Sequence, residues 1–396
     1  MKELENTGSK SEEKKVRTYD IINAGPRNRF ECQGVIVSNS GAGIQTQNLP
    51  RGKFDGDYPE EMLEACEDIL NMNLIDLIKK YANFTGKNGK TVALTPLDVI
   101  SSCVRGMIRA EKGKILIAAD YSNIEGRMTA WCAGEDWKIK AFEEYDAGTG
   151  PDLYKLAYSK AFNIEVKDVT KPQRMVGKVM ELSCGFGGSK GAFAKMAEGY
   201  GAKFTEAEAL ANVKAWREKH PNIVQMWYAV AEAAMTAFIQ AGTVVYSEEE
   251  RGKVSFFYDK ENDFLHMNLP SGRSLKYFEP RIQSKVNPWT GRDQNCLTAM
   301  GTDSFTKKWI RYELNHLILT ENLVQALARD KMMEGMLKAE TKGYKIIMTI
   351  HDELVAEVPE DFGSVEDFET VLCELDPWAT GLPVSAEGFK GHRYRK

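Results

Sequence analysis

The sequence predicts an α+β fold: an antiparallel sheet that carries acidic residues, interrupted by a mainly helical segment. Three observations predict it. The run Lys114-Ile115-Leu116-Ile117-Ala118-Ala119 has the length and apolar content of a buried strand and stops at Asp120. Two short apolar runs, 345–350 and 354–358, flank His351-Asp352-Glu353, the pattern of a β-hairpin with carboxylates at its tip. Between these acidic strands, residues 206–240 hold few helix breakers beyond Pro221.

Taken in order, the opening MKELENTGSKSEEKK has no apolar stretch behind its charges, so it predicts a polar, frayed tail and no secretory leader. After the strand at 114–119, a helical pattern runs from about Ser122 to Ala133 and closes at Gly134. Thr170 and Pro172 mark a second helix start, and Gly185, Gly187 and Gly188 mark its end. From 244 to 282 the period shortens to that of strands, with a turn at Pro270-Ser271-Gly272. A helix is expected from about 320 to 338, ahead of the hairpin.

At 396 residues, with 43% hydrophobic and 28% charged residues, the composition is that of a globular chain with room for two packed units. No run of 18 apolar residues occurs, which argues against a membrane span or a membrane partner. The seven cysteines never approach C-x-x-C spacing and the five histidines are scattered, so reduced thiols and no structural zinc are expected. A net charge of −5 argues against a protein that coats nucleic acid by bulk charge alone. The charge is uneven, however. Residues 166–200 hold six Lys/Arg against three acids, and residues 270–312 hold eight against three. Such stripes suit a phosphate-binding cleft, though solvated surface has the same composition.

Three constellations carry chemistry. Asp120, at the end of a buried strand, is a rigid oxygen donor for a hard cation such as Mg²⁺. Glu125 follows five residues later, and Ser122-x-x-Glu125 also matches a capping box. Asp352 at the hairpin tip is either a turn acid or a second metal ligand. If Asp120 and Asp352 converge from neighbouring strands, they could hold two divalent ions, one activating a hydroxyl and one neutralising a leaving group. In the third, Arg174, Lys178, Leu182 and Phe186 recur every four residues along one helical stripe. The two cations would sit roughly 6 Å apart, suiting successive phosphates, with apolar residues further along for a sugar and base. A solvated amphipathic helix is the competing explanation.

Together these residues resemble the motifs of family A (bacterial polymerase I-like) DNA polymerases in their phage-type form. Asp120-Tyr121-Ser122-Asn123-Ile124-Glu125-Gly126-Arg127 is similar to motif A, Arg174 through Gly187 to motif B, and His351-Asp352-Glu353 to motif C, in the family's order. The stretches 40–51, 148–154 and 322–330 also resemble phage members, and the resemblance covers roughly residues 20–390.

The resemblance implies a palm interrupted by fingers: an N-terminal palm segment with its tail over 1–135, fingers over 136–262, and a C-terminal palm segment over 263–396. It implies a DNA-directed DNA polymerase, a nucleotidyltransferase that adds dNTPs to the 3′ end of primer-template DNA with two Mg²⁺ ions, or Mn²⁺ in their place. Asp120, Asp352 and the Tyr121 carbonyl would bind metal, with Glu353 close by. Glu125 would exclude a ribose 2′-hydroxyl. Arg174 would hold the terminal phosphate and Lys178 the inner ones, and Lys178 would also be placed to protonate pyrophosphate. Leu182 and Phe186 would line the nucleotide site, with Phe186 and Gly187 at the templating base. His351 would touch the primer end, Gln325 the minor groove, and Gln47, Asn48 and Arg127 the DNA.

Some positions depart from the family pattern. Leu182 stands where cellular relatives carry Phe or Tyr, and Phe186 where Tyr is usual. Arg27-Asn28-Arg29-Phe30 resembles a disrupted T-G-R-W/F, and Asn315 through Leu319 replaces a Y-G-G-K. The chain begins where the family's thumb normally ends, so thumb and exonuclease domains are expected to be absent, with a separate chain as one source of them. A non-catalytic primer-template-binding module, a subunit of a split polymerase, and a single-subunit RNA polymerase are the alternatives; Glu125 and Glu353 favour DNA synthesis over the last. The expected location is the cytoplasm, that of a bacterial host for a phage-encoded chain.

Overall fold

In the computed structural model, residues 29–32, 35–38, 64–65, 67–69, 71–85, 91–241, 243, 245–246, 254–286, 291–303 and 306–394 are described. The chain divides into two compact units. The first comprises Met1–Ser122, Met333–Glu374 and Ala386–Lys396, the second Asn123–Met332 and Leu375–Ser385.

The first unit opens with an antiparallel pair, β1 (Arg29–Cys32) and β2 (Val35–Ser38). Helix α1 (Leu74–Tyr81), the short ladder β3 (Phe84–Thr85) with β4 (Thr91–Val92), and helix α2 (Pro96–Val104) follow. They close a small core around Leu77, Tyr81, Leu94, Val99 and Cys103. Thr95 starts α2 with a reciprocal capping box to Asp98, and Pro96 stands in its first turn. Strand β5 (Lys114–Tyr121) is the expected apolar run, buried from Leu116 through Ala119. It runs two residues further than its apolar stretch, so Asp120 lies inside the strand.

The second unit is helical at first: α3 (Ile124–Ala133), α4 (Asp136–Asp146), α5 (Leu153–Phe162), α6 (Lys171–Cys184), α7 (Lys190–Gly199), α8 (Glu206–Lys219) and α9 (Pro221–Gln240). The expected helix over 206–240 is two helices. His220, which precedes Pro221, adopts φ −125°, ψ 57°, and Pro221 starts the second helix. Strands β6 (Val245–Tyr246), β7 (Ser255–Asp259), β8 (Phe264–Asn268), β9 (Ser274–Val286), β10 (Asp293–Thr302) and β11 (Trp309–Glu313) form one antiparallel sheet in sequential order. The expected turn joins β8 to β9, with Gly272 at φ 87°. One face of this sheet, through Phe256, Leu265, Met267, Tyr277, Leu297 and Ala299, shares a core with Trp131, Trp216 and Trp227.

Helix α10 (His316–Thr341) leads back to the first unit and exceeds the expected 320–338 at both ends. There β12 (Ile346–Ile350) and β13 (Glu353–Pro359) form the hairpin, followed by α11 (Val365–Cys373) and β14 (Ala386–Gly391). The sheet order is β12-β13-β5-β14, antiparallel throughout, which makes β5 a central strand. The mixture of helices with antiparallel sheets is the predicted α+β class. Among the described residues no helix is long and apolar enough to cross a membrane, and Cys103, Cys132, Cys184, Cys296 and Cys373 are free thiols.

Candidate active site

The acidic strands meet as their sequences suggested. Ile350 pairs with Glu353, so the hairpin tip is two residues, His351 and Asp352, rather than three; Glu353 belongs to β13. His351 takes a positive φ of 54°, which this tight connection demands. Glu353 sits directly opposite Asp120, and the Tyr121 N–H donates to the Asp352 carbonyl at 3.1 Å. Asp120 and Asp352 therefore lie at the same end of neighbouring strands. On the other side of β5, Glu387 of β14 is also directly opposite Asp120. Opposed residues project from one face of an antiparallel sheet, so Glu353, Asp120 and Glu387 form a row of three acids across it.

Packing fixes Glu353 and Tyr121 beside Asp120. Glu353 is buried and accepts a 2.5 Å hydrogen bond from the Tyr394 hydroxyl. Burial, then the Glu353 hydrogen bond and charge, raise the Tyr394 pKa, so this phenol stays a donor. The Tyr121 hydroxyl donates to the Leu372 carbonyl at 2.8 Å. Gly335 makes that packing possible: a Cβ there would stand 2.2 Å from the same hydroxyl.

The donor set is all oxygen. Among the described residues no group of three or more His, Cys, Asp and Glu is arranged to hold an ion. Mg²⁺ and Mn²⁺ fit such a set, because Mg²⁺ usually takes one or two carboxylates and completes its shell with water and substrate phosphate. Asp120 and Asp352, with the Tyr121 carbonyl, are the residues that would hold them.

In the second unit, α6 carries the basic stripe. Thr170 starts it with a capping box to Gln173. Arg174 donates through Nε and Nη2 to one oxygen of Asp152, at 2.9 and 2.7 Å. Asp152 in turn caps α5 by accepting from the Lys155 N–H. Arg174 also lies 5.2 Å from the Tyr154 ring, and the Lys178 ammonium lies 4.5 Å from the Tyr200 ring and 6.0 Å from Tyr154. Gly177 lets α5 and α6 come this close, since a Cβ would meet the Tyr154 carbonyl oxygen at 2.1 Å. Leu182 continues the stripe and is exposed. Phe186 does not share the helix: α6 ends at Cys184, and Phe186 packs against the core beyond it.

The opposite side of α6 is locked by a buried charge cluster. Glu181 accepts hydrogen bonds from Lys138 of α4 and, at 2.8 Å, from the Trp216 indole of α8. His220 completes the cluster, 3.4 Å from the Lys138 ammonium.

The remaining predicted residues separate. Glu125 is in the first turn of α3, but the cap is Asn123, in the left-handed region with no side-chain capping bond. The Ser122-x-x-Glu125 capping box is thus one residue out of register with the helix. Arg127 is buried and paired with Asp146 at 2.5 and 2.7 Å, over the Phe142 ring, which is a structural anchor. Gln325 is on α10 within 3.4 Å of Glu321. Gln47 and Asn48 lie outside the described residues. Sequence reasoning missed Asp152, Tyr154, Tyr200 and Glu387 as neighbours of the predicted set; an Asp at a helix start was the available signal for the first.

The model for DNA polymerase family A matches residues 97–245, which include motif A and the basic helix. A DNA polymerase of Bacillus phage SP02 is 32% identical over 358 residues, 89% of this chain and 50% of that protein. Over these residues the chain is similar to DNA polymerase family A. DNA polymerase I of Borreliella burgdorferi is 29% identical over 293 residues, 72% of this chain and 25% of its own length. The chain thus spans half the length of the phage relative and a quarter of the bacterial one. Among solved structures, the POL domain of Pol1 from M. smegmatis, in complex with DNA primer-template and dNTP, is similar at a TM-score of 0.46 and 17% identity, covering 77% of this chain and 46% of that one.

Proposed function

We propose that this chain is a template-directed DNA polymerase that adds dNTPs to a primer 3′ end. The observation that carries the reading is the meeting of Asp120 with the Asp352 turn at one end of a rigid sheet, with Glu353 held beside them. Acids held side by side at the partly buried end of a sheet are costly to keep charged unless they bind something cationic. Two divalent ions held by Asp120 and Asp352 would supply activation of the attacking hydroxyl and neutralisation of the leaving group.

The chain's own residues do the rest. The primer 3′ oxygen forms a bond to the α-phosphorus, the bond to the bridging oxygen breaks, and pyrophosphate leaves. Arg174 and Lys178, about one helical turn apart, bind the phosphates electrostatically, and Lys178 is the proton source for the departing pyrophosphate. Glu125 screens the sugar, Leu182 and Phe186 line the nucleotide site, and His351 and Gln325 contact the DNA. The palm and fingers would divide as 1–135, 136–262 and 263–396. The phage relative supports the cytoplasm of a bacterial host as the place of action.

Primer extension tests the proposal directly. Asp120→Asn and Asp352→Asn should each abolish Mg²⁺-dependent extension while the chain stays folded. Extension at the wild-type rate by either variant would remove both carboxylates from the chemistry.

A further inference from the structure

We propose that the open face of the six-stranded sheet β6–β11 binds single-stranded DNA through a ladder of aromatic rings. One face of this sheet is buried in the core, and the other would ordinarily be polar. Instead it carries Phe257, His266, Phe264, Phe278 and Trp309. The register puts them on one side: Phe257 opposite His266, Phe264 opposite Phe278, and Phe278 opposite Met300, two residues before the Thr302–Trp309 pair. Their neighbours along the strands, Phe256, Leu265 and Tyr277, point into the core.

The rings, from β7, β8, β9 and β11, form a continuous chain that passes over β10. Successive centroids are 6.0 Å (Phe257–His266), 6.4 Å (His266–Phe264), 5.1 Å (Phe264–Phe278) and 6.3 Å (Phe278–Trp309) apart. Trp309 is 58% exposed, and the other four are partly exposed. Mutual packing fixes the rings before anything binds. A ligand would therefore lose little side-chain freedom on their account.

Cations flank the ladder at two places, with Asp259 opposite Phe264 as an acid on the same face. Lys276 is directly opposite His266 on the same face, and Lys307 and Lys308 are exposed immediately before Trp309. Of the eight Lys/Arg in 270–312, Arg273, Arg281, Lys285 and Arg311 are paired with Asp330, Asp263, Glu313 and Glu279, so the cationic flank of the ladder rests on Lys276, Lys307 and Lys308. Aromatic rings for bases, flanked by cations for phosphates, are the two components of a single-strand platform. A duplex does not fit this chemistry, because its bases are already stacked and paired. The ring spacing exceeds the roughly 3.4 Å between stacked bases in a strand, so it suits bases that are splayed apart.

Fluorescence anisotropy of a labelled oligothymidylate with the full chain, without nucleotide or divalent ion, tests this. Trp309→Ala should weaken binding about five- to hundred-fold. Lys276→Glu should weaken it and reduce the slope of log affinity against log salt by about one. Both residues are exposed, and unchanged melting temperatures would confirm intact folds; Lys276→Glu keeps the test open should the Trp309 variant unfold. Wild-type affinity in both folded variants would overturn the proposal. Equal competition by blunt duplex would do the same, and tighter binding of oligouridylate would overturn the assignment to DNA. The inference goes beyond the polymerase reading and is separable from it: a chain that binds oligothymidylate but extends no primer sinks only the earlier proposal.

Discussion

Arg174 is held by Asp152, which takes both its Nε and Nη2 hydrogen bonds on one carboxylate oxygen while the other caps helix α5. Burial alone would raise the Asp152 pKa, but the Arg174 hydrogen bonds and charge outweigh it and hold the carboxyl below its ordinary range. Asp152 thus orients a cation proposed to receive the nucleotide's terminal phosphate. Asp152→Asn should raise the KM for dNTPs several-fold, with a smaller change in kcat, because it disturbs binding more than chemistry. Steady-state incorporation kinetics would show this; an unchanged KM would make the pair purely structural.

Chelation separates catalytic from structural metal. The carboxylates at this end of the sheet belong to strands already held by pairing and by the Tyr394 hydrogen bond. EDTA should therefore abolish primer extension and leave the melting temperature nearly unchanged, unlike a structural site, where metal binding is folding energy. A large drop in melting temperature would show that an ion supports the fold.

Much of this was legible in the sequence, for identifiable reasons. Strand β5 and the hairpin are short, apolar and bounded by acids, so both their existence and the meeting of Asp120 with Asp352 could be inferred. Helix α6 announced itself through Thr170, Pro172 and Gln173. Strands β10 and β11 did not: Asp293, Gln294 and Asn295 are poor strand formers, and pairing with β9 overrides their preference. Glu387 reaches Asp120 only through a pairing of strands 267 positions apart, which no local pattern encodes. The Lys138–Glu181 pair joins helices 43 residues apart. The split at His220 was readable in principle, since the residue before a proline avoids helix.

Glu125→Ala should admit ribonucleotides much more readily. The capping-box alternative instead predicts a lower melting temperature with unchanged sugar preference. Helix α3 is capped at Asn123, one residue from where that box would need it. The ratio of dNTP to rNTP incorporation, measured beside the melting temperature, distinguishes them.

Tyr394→Phe removes one donor from the buried Glu353 carboxylate while preserving the ring. Leaving a buried acceptor short of a partner costs about 1–3 kcal/mol. Denaturant unfolding should show a loss of that size, with reduced extension activity as Glu353 shifts. No loss in either readout would mean that water replaces the phenol.

His220 stacks on Trp216 at 3.8 Å, and its Nδ1 lies 2.7 Å from the Trp216 carbonyl oxygen, which can only accept. The proton therefore sits on Nδ1, leaving the Nε2 lone pair facing the Lys138 ammonium at 3.4 Å. Protonating Nε2 would put two cations together in a buried site. Burial first, and the Lys138 charge second, push the His220 pKa down from 6.5 to about 3. Because the folded-state pKa is depressed, the unfolded chain binds the extra proton between those values. Stability from His220 is then complete above pH 6.5 and declines as pH falls toward 3, by at most about 1.4 kcal/mol per pH unit. Glu181, lowered despite its burial by the Lys138 charge and by hydrogen bonds from Lys138 and Trp216, contributes with the same sign below its ordinary value of 4.5. His220→Gln removes the imidazole, so the difference in unfolding free energy between wild type and variant should shrink steadily from pH 7 to pH 5. A difference that stays constant over that range would mean that His220 titrates alike in both states, and the buried cluster behind α6 would not be holding it neutral.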